Sequence, residues 1–327
     1  MFRETTASAV LVGCAMACGG MAAAADHAPR VELLRAGITH DALFSVDVAD
    51  EEAVAVGSDG LILRSLDGGA SWQADAAPDS ALSLLDVALG PRRSIAVGQM
   101  GAILESTDRA RWTAVASPTD KRLLAVAQRP DGVALAVGQF GTVLRSAAPG
   151  QAWQPVAVDW RALVPEGFDP QLYDVMFTAD GRALLVGEFG MILASDDGGQ
   201  SWRAVHAPQS AEGEEGAELW AIDINARGLG VAVGQQGRML LTDDGGRHWR
   251  ELDSGFGDSL MGVDVSDGNR IYVAGIRRFL ESGDGGRTWR ALDALDLGTA
   301  WYQAVRISDG DALVVGHSGR ILRIAPD

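Results

Sequence analysis

Six tryptophans, Trp72, Trp112, Trp153, Trp202, Trp249 and Trp289, recur at spacings of 40, 41, 49, 47 and 40 residues. A period of roughly 40–45 residues is the signature of a repeat architecture, and of a four-stranded propeller blade in particular. Each tryptophan closes a similar run. The first is Val56-Gly57-Ser58-Asp59-Gly60-Leu61-Ile62-Leu63-Arg64-Ser65-Leu66-Asp67-Gly68-Gly69-Ala70-Ser71-Trp72. Its first glycine recurs as Gly98, Gly138, Gly187, Gly234 and Gly316, with Ala274 in that place once, so the unit occurs seven times.

The unit reads as four short strands. Strand a is an apolar run such as Leu43-Phe44-Ser45-Val46-Asp47-Val48. Strand b is Ala53-Val54-Ala55-Val56, strand c is Leu61-Ile62-Leu63-Arg64, and strand d begins at the Trp. Gly-x-x-Gly between b and c is expected to supply the positive-φ positions of a tight hairpin, and Asp-Gly-Gly between c and d to do the same. The last copy ends without a Trp strand, while Arg30-Val31-Glu32-Leu33-Leu34-Arg35-Ala36 resembles a lone strand d. Residues 26–327 are therefore expected to form one all-β domain, a seven-bladed β-propeller of four-stranded blades. An N-terminal strand completes the last blade and removes an open edge.

The c–d turns carry the motif Ser-x-Asp-x-Gly-x-Ser/Thr-Trp, the Asp box. Asp67 with Trp72, Asp197 with Trp202 and Asp284 with Trp289 match it fully, and Asp244 with Trp249 matches with His248 at the hydroxyl position. These are read as structural: the carboxylate accepts turn N–H groups and the Trp packs against its own blade. A calcium loop would need alternating carboxylates and a terminal bidentate Glu, which the turns lack. No metal site or cofactor is expected. The five histidines, His27, His40, His206, His248 and His317, show no ligand spacing.

Residues 1–25 are read as a signal peptide. Arg3 precedes an apolar run from Ala7 to Met21, and Ala23 and Ala25 fit a small-x-small cleavage site. Export to the periplasm is the expectation. Leu11-Val12-Gly13-Cys14 also resembles a lipobox, which would instead anchor the protein by a lipid on Cys14. Cutting after Ala25 removes Cys14 and Cys18, the only cysteines, and with them any disulfide or thiolate chemistry. The chain is 47% hydrophobic with a net charge of -17. Such a charge disfavours nucleic acid, which demands a basic face.

Asp boxes occur in sialidases, so a sialidase-type glycoside hydrolase is one alternative. It would need an Arg cluster for the sugar carboxylate and a Tyr–Glu nucleophile pair. Tyr173, Tyr272 and Tyr302 are the only tyrosines, and the usual Arg-Ile-Pro signature is absent. A propeller that binds carbohydrate or another small ligand at its channel mouth is the other alternative.

Seven blades of Val-Gly-x-x-Gly-x-Ile-Leu followed by Ser-x-Asp-Gly-Gly-x-x-Trp resemble the photosystem II stability/assembly factor family, over about residues 31 to 327. The resemblance implies a non-enzymatic accessory factor that binds a membrane-protein complex on the export side of the membrane. It implies no partner identity.

In a propeller, b–c turns and d–a loops share one face. The b–c turns vary inside a fixed frame, as recognition positions on a scaffold do. Met100, Phe140 and Phe189 hold one turn position in blades two, three and four, and the long d–a loop there brings Trp160 and Phe168. These five are expected to form an apolar docking patch, or else to fold inward and plug the channel. In blade six, Arg277 takes the place of the second turn glycine, and the pair Arg277 and Arg278 reads either as an anion grip or as a surface pair offset by nearby acids. Asp47, Asp223, Asp264 and Arg306 occupy one position of strand a in consecutive blades, which predicts an inter-blade ion network.

Overall fold

Seven four-stranded antiparallel sheets follow one another along the chain in the computed structural model, which describes residues 29–75, 82–164, 167–207, 217–292 and 300–325. Residues 1–25, read above as a signal peptide and containing Cys14, lie outside the described residues. Blade one comprises Leu43–Ala49, Glu52–Gly57, Ile62–Ser65 and Gln73–Asp75 as strands a to d. Blade seven takes strands a to c from Tyr302–Ser308, Asp311–Gly316 and Ile321–Ala325. Its outermost strand is Arg30–Arg35, paired antiparallel in the register Arg30 to Ala325 and Leu33 to Leu322. The ring thus closes as expected, and both ends of the fold are held in one sheet.

The b strands are buried on both faces, as in Ala183–Gly187, because each lies between two neighbouring blades. Their near-continuous apolar character follows from that position. Packing is between blades: Val54, Val56 and Ile62 of blade one share a cluster with Leu84, Ala96 and Trp112 of blade two.

That cluster corrects one expectation. The Trp that closes each repeat, with or without a complete box, does not pack only on its own blade but enters the seam with the preceding one. Trp153 likewise joins Ile95 and Val97, and Trp249 joins Leu184 and Val186. In the complete boxes the second glycine shows how close the turn comes to that neighbour. A Cβ on Gly69 would lie 2.5 Å from Leu313 of blade seven, and one on Gly199 would lie 2.3 Å from Leu135 of blade three. The turn is pressed onto its neighbour, so the side chain that follows fills the gap between them. The rest of the box is local, as expected. Asp67 accepts the Ser71 N–H at 2.8 Å and the Ser71 hydroxyl at 2.6 Å, while Ser65 Oγ donates to it at 2.7 Å. These bonds, led by the Ser71 hydroxyl, hold its carboxyl at about 2.

The b–c turns hold a second correction. Only the second glycine of Gly-x-x-Gly is left-handed, as at Gly101 with φ +70°. The first is extended, with φ -173° at Gly98. It is glycine for another reason: a Cβ there would lie 2.1 Å from the Ser83 carbonyl oxygen, and 1.9 Å from that of Glu218 at Gly234. Blade six conforms to this rule. Gly275, not Ala274, is its first glycine, pairing with Leu260 as Gly98 pairs with Leu84, and a Cβ on it would meet the Ser259 oxygen at 2.4 Å. Gly275 also pairs with Arg278, leaving Ile276 and Arg277 as the whole turn. Blade six has therefore shortened its turn rather than replaced a glycine by Arg277.

Candidate functional site

Two features share one end of the ring: the b–c turn face and the mouth of the central channel. Strand a starts beside the b–c turn, since Leu43 pairs with Gly57 and Ser58 N–H donates to the Ala42 carbonyl at 2.9 Å.

At the tip of every b–c turn stands a non-glycine residue in the left-handed region: Asp59, Met100, Phe140, Phe189, Gln236, Arg277 and Ser318, with φ between 53° and 60°. For an L-residue this conformation costs roughly 1–2 kcal/mol. It is unusual for Phe and Met, and strain of this kind clusters at functional sites. Here it turns seven side chains of free chemical choice onto one face.

Three of the five expected patch residues are exposed: Met100 at 64%, Phe140 at 54% and Phe168 at 42%. Phe189 is half-buried and meets Phe168 edge-on, ring centroids 5.1 Å apart. Lys121 Nζ sits 4.4 Å from the Phe140 ring centre. Trp160 is different. It begins a short helix, Trp160–Leu163, and at 7% exposure belongs to the core between blades three and four. Its indole N–H donates to the Gly141 carbonyl at 3.2 Å. Trp160 props the turn that carries Phe140 and offers no surface of its own. Arg277 and Arg278 both face Asp258, at 3.6 and 2.6 Å, and Arg278 also lies over the Phe256 ring. Their charge is thus partly offset from within the chain.

The channel is a cavity of about 310 Å³ lined by the seven a strands. Its mouth is ringed by Phe44, Leu85, Leu124, Tyr173, Trp220, Met261 and Gln303, each the second residue of its strand. Below them lie Asp86 and Asp174, and deeper Asp47, Asp223 and Arg306, with Asp264 buried behind the lining. Every one of these aspartates accepts a backbone N–H from the next blade. Asp47 takes Leu89 at 2.7 Å, Asp86 takes Val126 at 2.7 Å, and Asp174 takes Ile222 at 2.9 Å. Asp223 takes Val265 at 2.7 Å, and Asp264 takes Ile307. Arg306 reaches Asp47 and Asp264, both at 3.2 Å, and so ties blade seven to blades one and six. The expected ion network is present for Asp47, Asp264 and Arg306, whereas Asp223 is held by the Val265 amide and makes no ion pair among the described residues.

Burial disfavours the charged carboxylates and pushes Asp174 up to about 7 and Asp86 to about 6. Burial raises Asp47 too, against Arg306, and raises Asp223 with help from Asp264. Burial opposes the Arg306 charge, but Asp47 and Asp264 outweigh it and its pKa rises.

Sequence reading missed Asp86 and Asp174, because a register shift early in strand a moves the channel-facing position. The signal was an aspartate at the third position of strand a in blades two and four. The pKa of Tyr173 is raised first by burial and then by the nearby Glu218 carboxylate. Glu218 also accepts the Trp220 indole N–H at 2.7 Å. The channel arginine Arg306 is committed to Asp47 and Asp264, so no Arg cluster converges on this Tyr–Glu pair among the described residues. No group of three or more His, Cys, Asp and Glu suited to a metal occurs among the described residues either.

Fold and site define a seven-bladed Asp-box propeller that presents apolar turn residues around an acid-lined channel. The chain belongs to the photosynthesis system II assembly factor YCF48 family, whose model matches residues 29–159 and 153–255, more than half of the chain. Among solved structures it is similar to YCF48 bound to D1 peptide, with 19% identity, 92% of this chain and 96% of that chain covered, and a TM-score of 0.70. YCF48 from Cyanidioschyzon merolae gives 19% identity, 90% and 98% coverage and a TM-score of 0.71. A virginiamycin B lyase from Staphylococcus aureus gives 9% identity, 91% and 100% coverage and a TM-score of 0.68. At these identities the likeness is one of fold, and the same fold serves an enzyme as well as assembly factors. No curated protein matches the sequence.

Proposed function

We propose that the protein is an exported, non-enzymatic accessory factor that docks a segment of an envelope membrane-protein complex on its b–c face. The observation that carries this reading is the run of apolar side chains on adjacent blades, the left-handed turn residues Met100, Phe140 and Phe189 with Phe168 against the last, of which Met100, Phe140 and Phe168 are exposed. Apolar side chains on a rigid frame bind with little ordering cost. Membership in an assembly-factor family and the peptide complex of a similar fold support it. Arg277 and Arg278 belong to the same face and, with Asp258, form its polar rim. The Asp boxes are structural, and no cofactor or metal enters. Residues 1–25 direct export, with release after Ala25 or lipid attachment at Cys14 as the two routes.

The test is crosslinking in cells and affinity capture from the envelope fraction, with wild type beside the double variant Phe140→Asp/Phe189→Asp. A membrane protein captured by wild type and lost in the variant supports the reading. Capture unaffected by the variant moves the site elsewhere, and no capture by wild type removes the accessory-factor reading. Mass spectrometry of the purified mature chain separates the export routes: an N-terminus at Asp26, or a lipidated Cys14.

A further inference from the structure

The apolar mouth and the carboxylates beneath it form one continuous cavity. Its charge is unbalanced. Four aspartates line it, Asp47, Asp86, Asp174 and Asp223, against a single arginine, and Arg306 pairs with only Asp47 and the buried Asp264 behind the lining. Asp86, Asp174 and Asp223 have backbone and hydroxyl donors but no cation within ion-pair distance among the described residues. Amide donors leave the charge itself uncompensated, and burial of an unpaired carboxylate is costly. Immediately above stands the aromatic ring of Phe44, Tyr173 and Trp220, with Glu218 accepting the Trp220 indole N–H. Aromatic faces and carboxylates together suit a cation and repel an anion.

Accordingly, we infer that the segment docked on the b–c face is an apolar peptide carrying one basic side chain, and that this side chain enters the channel mouth to face Asp86 and Asp174. The inference rests on the docking reading above and names the chemistry of its partner. The geometry suits a lysine. Strands rise about 3.3 Å per residue, so Asp86 and Asp174 lie one step below the mouth ring, within reach of a flexible four-carbon stem. Apolar neighbours of that lysine then cover Met100, Phe140 and the Phe168–Phe189 pair, which stand on the same face over blades two to four. An acidic residue at the same place would add to an existing excess of negative charge. Specificity would come from that repulsion as much as from the attraction.

Three fluorescent peptides test this, identical and apolar except for a central Lys, norleucine or Glu, with binding followed by anisotropy. On the wild-type protein the Lys peptide should bind ~10-fold tighter than the norleucine peptide, equivalent to about 1.4 kcal/mol, and the Glu peptide more weakly than either. That preference should shrink as salt rises, because part of it is screened. In Asp86→Asn/Asp174→Asn the Lys preference should collapse while the norleucine affinity holds. Asp174→Asn alone, checked by circular dichroism, serves if the double variant does not fold. Equal Lys and norleucine affinities on wild type, both abolished by Phe140→Asp, overturn the inference and leave the docking face standing. Failure of all three peptides to bind overturns both.

Discussion

Acidification from pH 8 to pH 5 should stabilise this protein through its channel carboxylates, beyond the relief of repulsion within a chain of net charge -17. Asp174 and Asp86 titrate near 7 and 6 in the fold, against 3.8 when unfolded. A folded pKa raised above the unfolded one means the native state binds more protons between the two values. The resulting stability is complete below pH 3.8 and is lost as pH rises through the folded pKa. Between pH 5 and pH 7, Asp174 contributes about 2 units at 1.36 kcal/mol each, and Asp86 about 1 unit between pH 5 and 6, so the two together are on the order of 4 kcal/mol. Asp47 and Asp223 shift the same way and add to it. His206 works against it, since burial lowers its pKa and acid favours its unfolded form. For a domain of this size the net should raise Tm by roughly 5–10 °C. The assay is a set of circular-dichroism melts at constant ionic strength at pH 5, 6, 7 and 8, with Asp86→Asn/Asp174→Asn alongside. The variant should melt above wild type at pH 8 and show a flatter profile, which separates the channel from general charge repulsion. A wild-type Tm that stays constant or falls between pH 8 and pH 5 would refute the reasoning.

Arg306→Met should cost about 3–5 kcal/mol at pH 8, because Asp47 and Asp264 lose their shared cation, and clearly less at pH 5; urea titrations at both pH values measure the difference. Gly138→Ala should destabilise by about 3 kcal/mol or more, since its Cβ would lie 2.1 Å from the Arg122 carbonyl oxygen, whereas Gly68→Ala meets no atom within 4 Å and reports only the cost of its left-handed backbone. Comparing the two melts tests the close-approach argument. Trp112→Ala should cost about 3–5 kcal/mol by opening the seam between blades one and two, and limited proteolysis should then cut first in those blades. Below pH 4 the Asp boxes should begin to fail, because Asp67 is held at about 2 and its stabilising contribution is lost as pH falls from 3.8 through that value; an acid limb in the same melts checks this.

The repeat, its seven copies, the strand order within a blade and the closing role of Arg30–Arg35 were all legible from the sequence. Each is fixed by periodicity or by a turn a few residues long, and such signals survive in one dimension. The Asp-box bonds were legible for the same reason, as they join residues two to four positions apart. Position on the ring was legible too, so Met100 and Phe140 could be named as one arc. What the tertiary structure alone decided is where side chains point across distances of about forty residues. Trp160 reads as a surface aromatic in a long loop, yet it is buried because it folds under the Gly141 turn. Each Asp-box Trp belongs to two blades, because only the assembled ring brings Leu313 against Gly69 or Leu135 against Gly199. Asp86 and Asp174 join the channel through a register shift in strand a that no local pattern announces. Sequence determines the blade because a blade is local. The channel and its charge exist only when seven blades converge on one axis, so their chemistry had to wait for the fold.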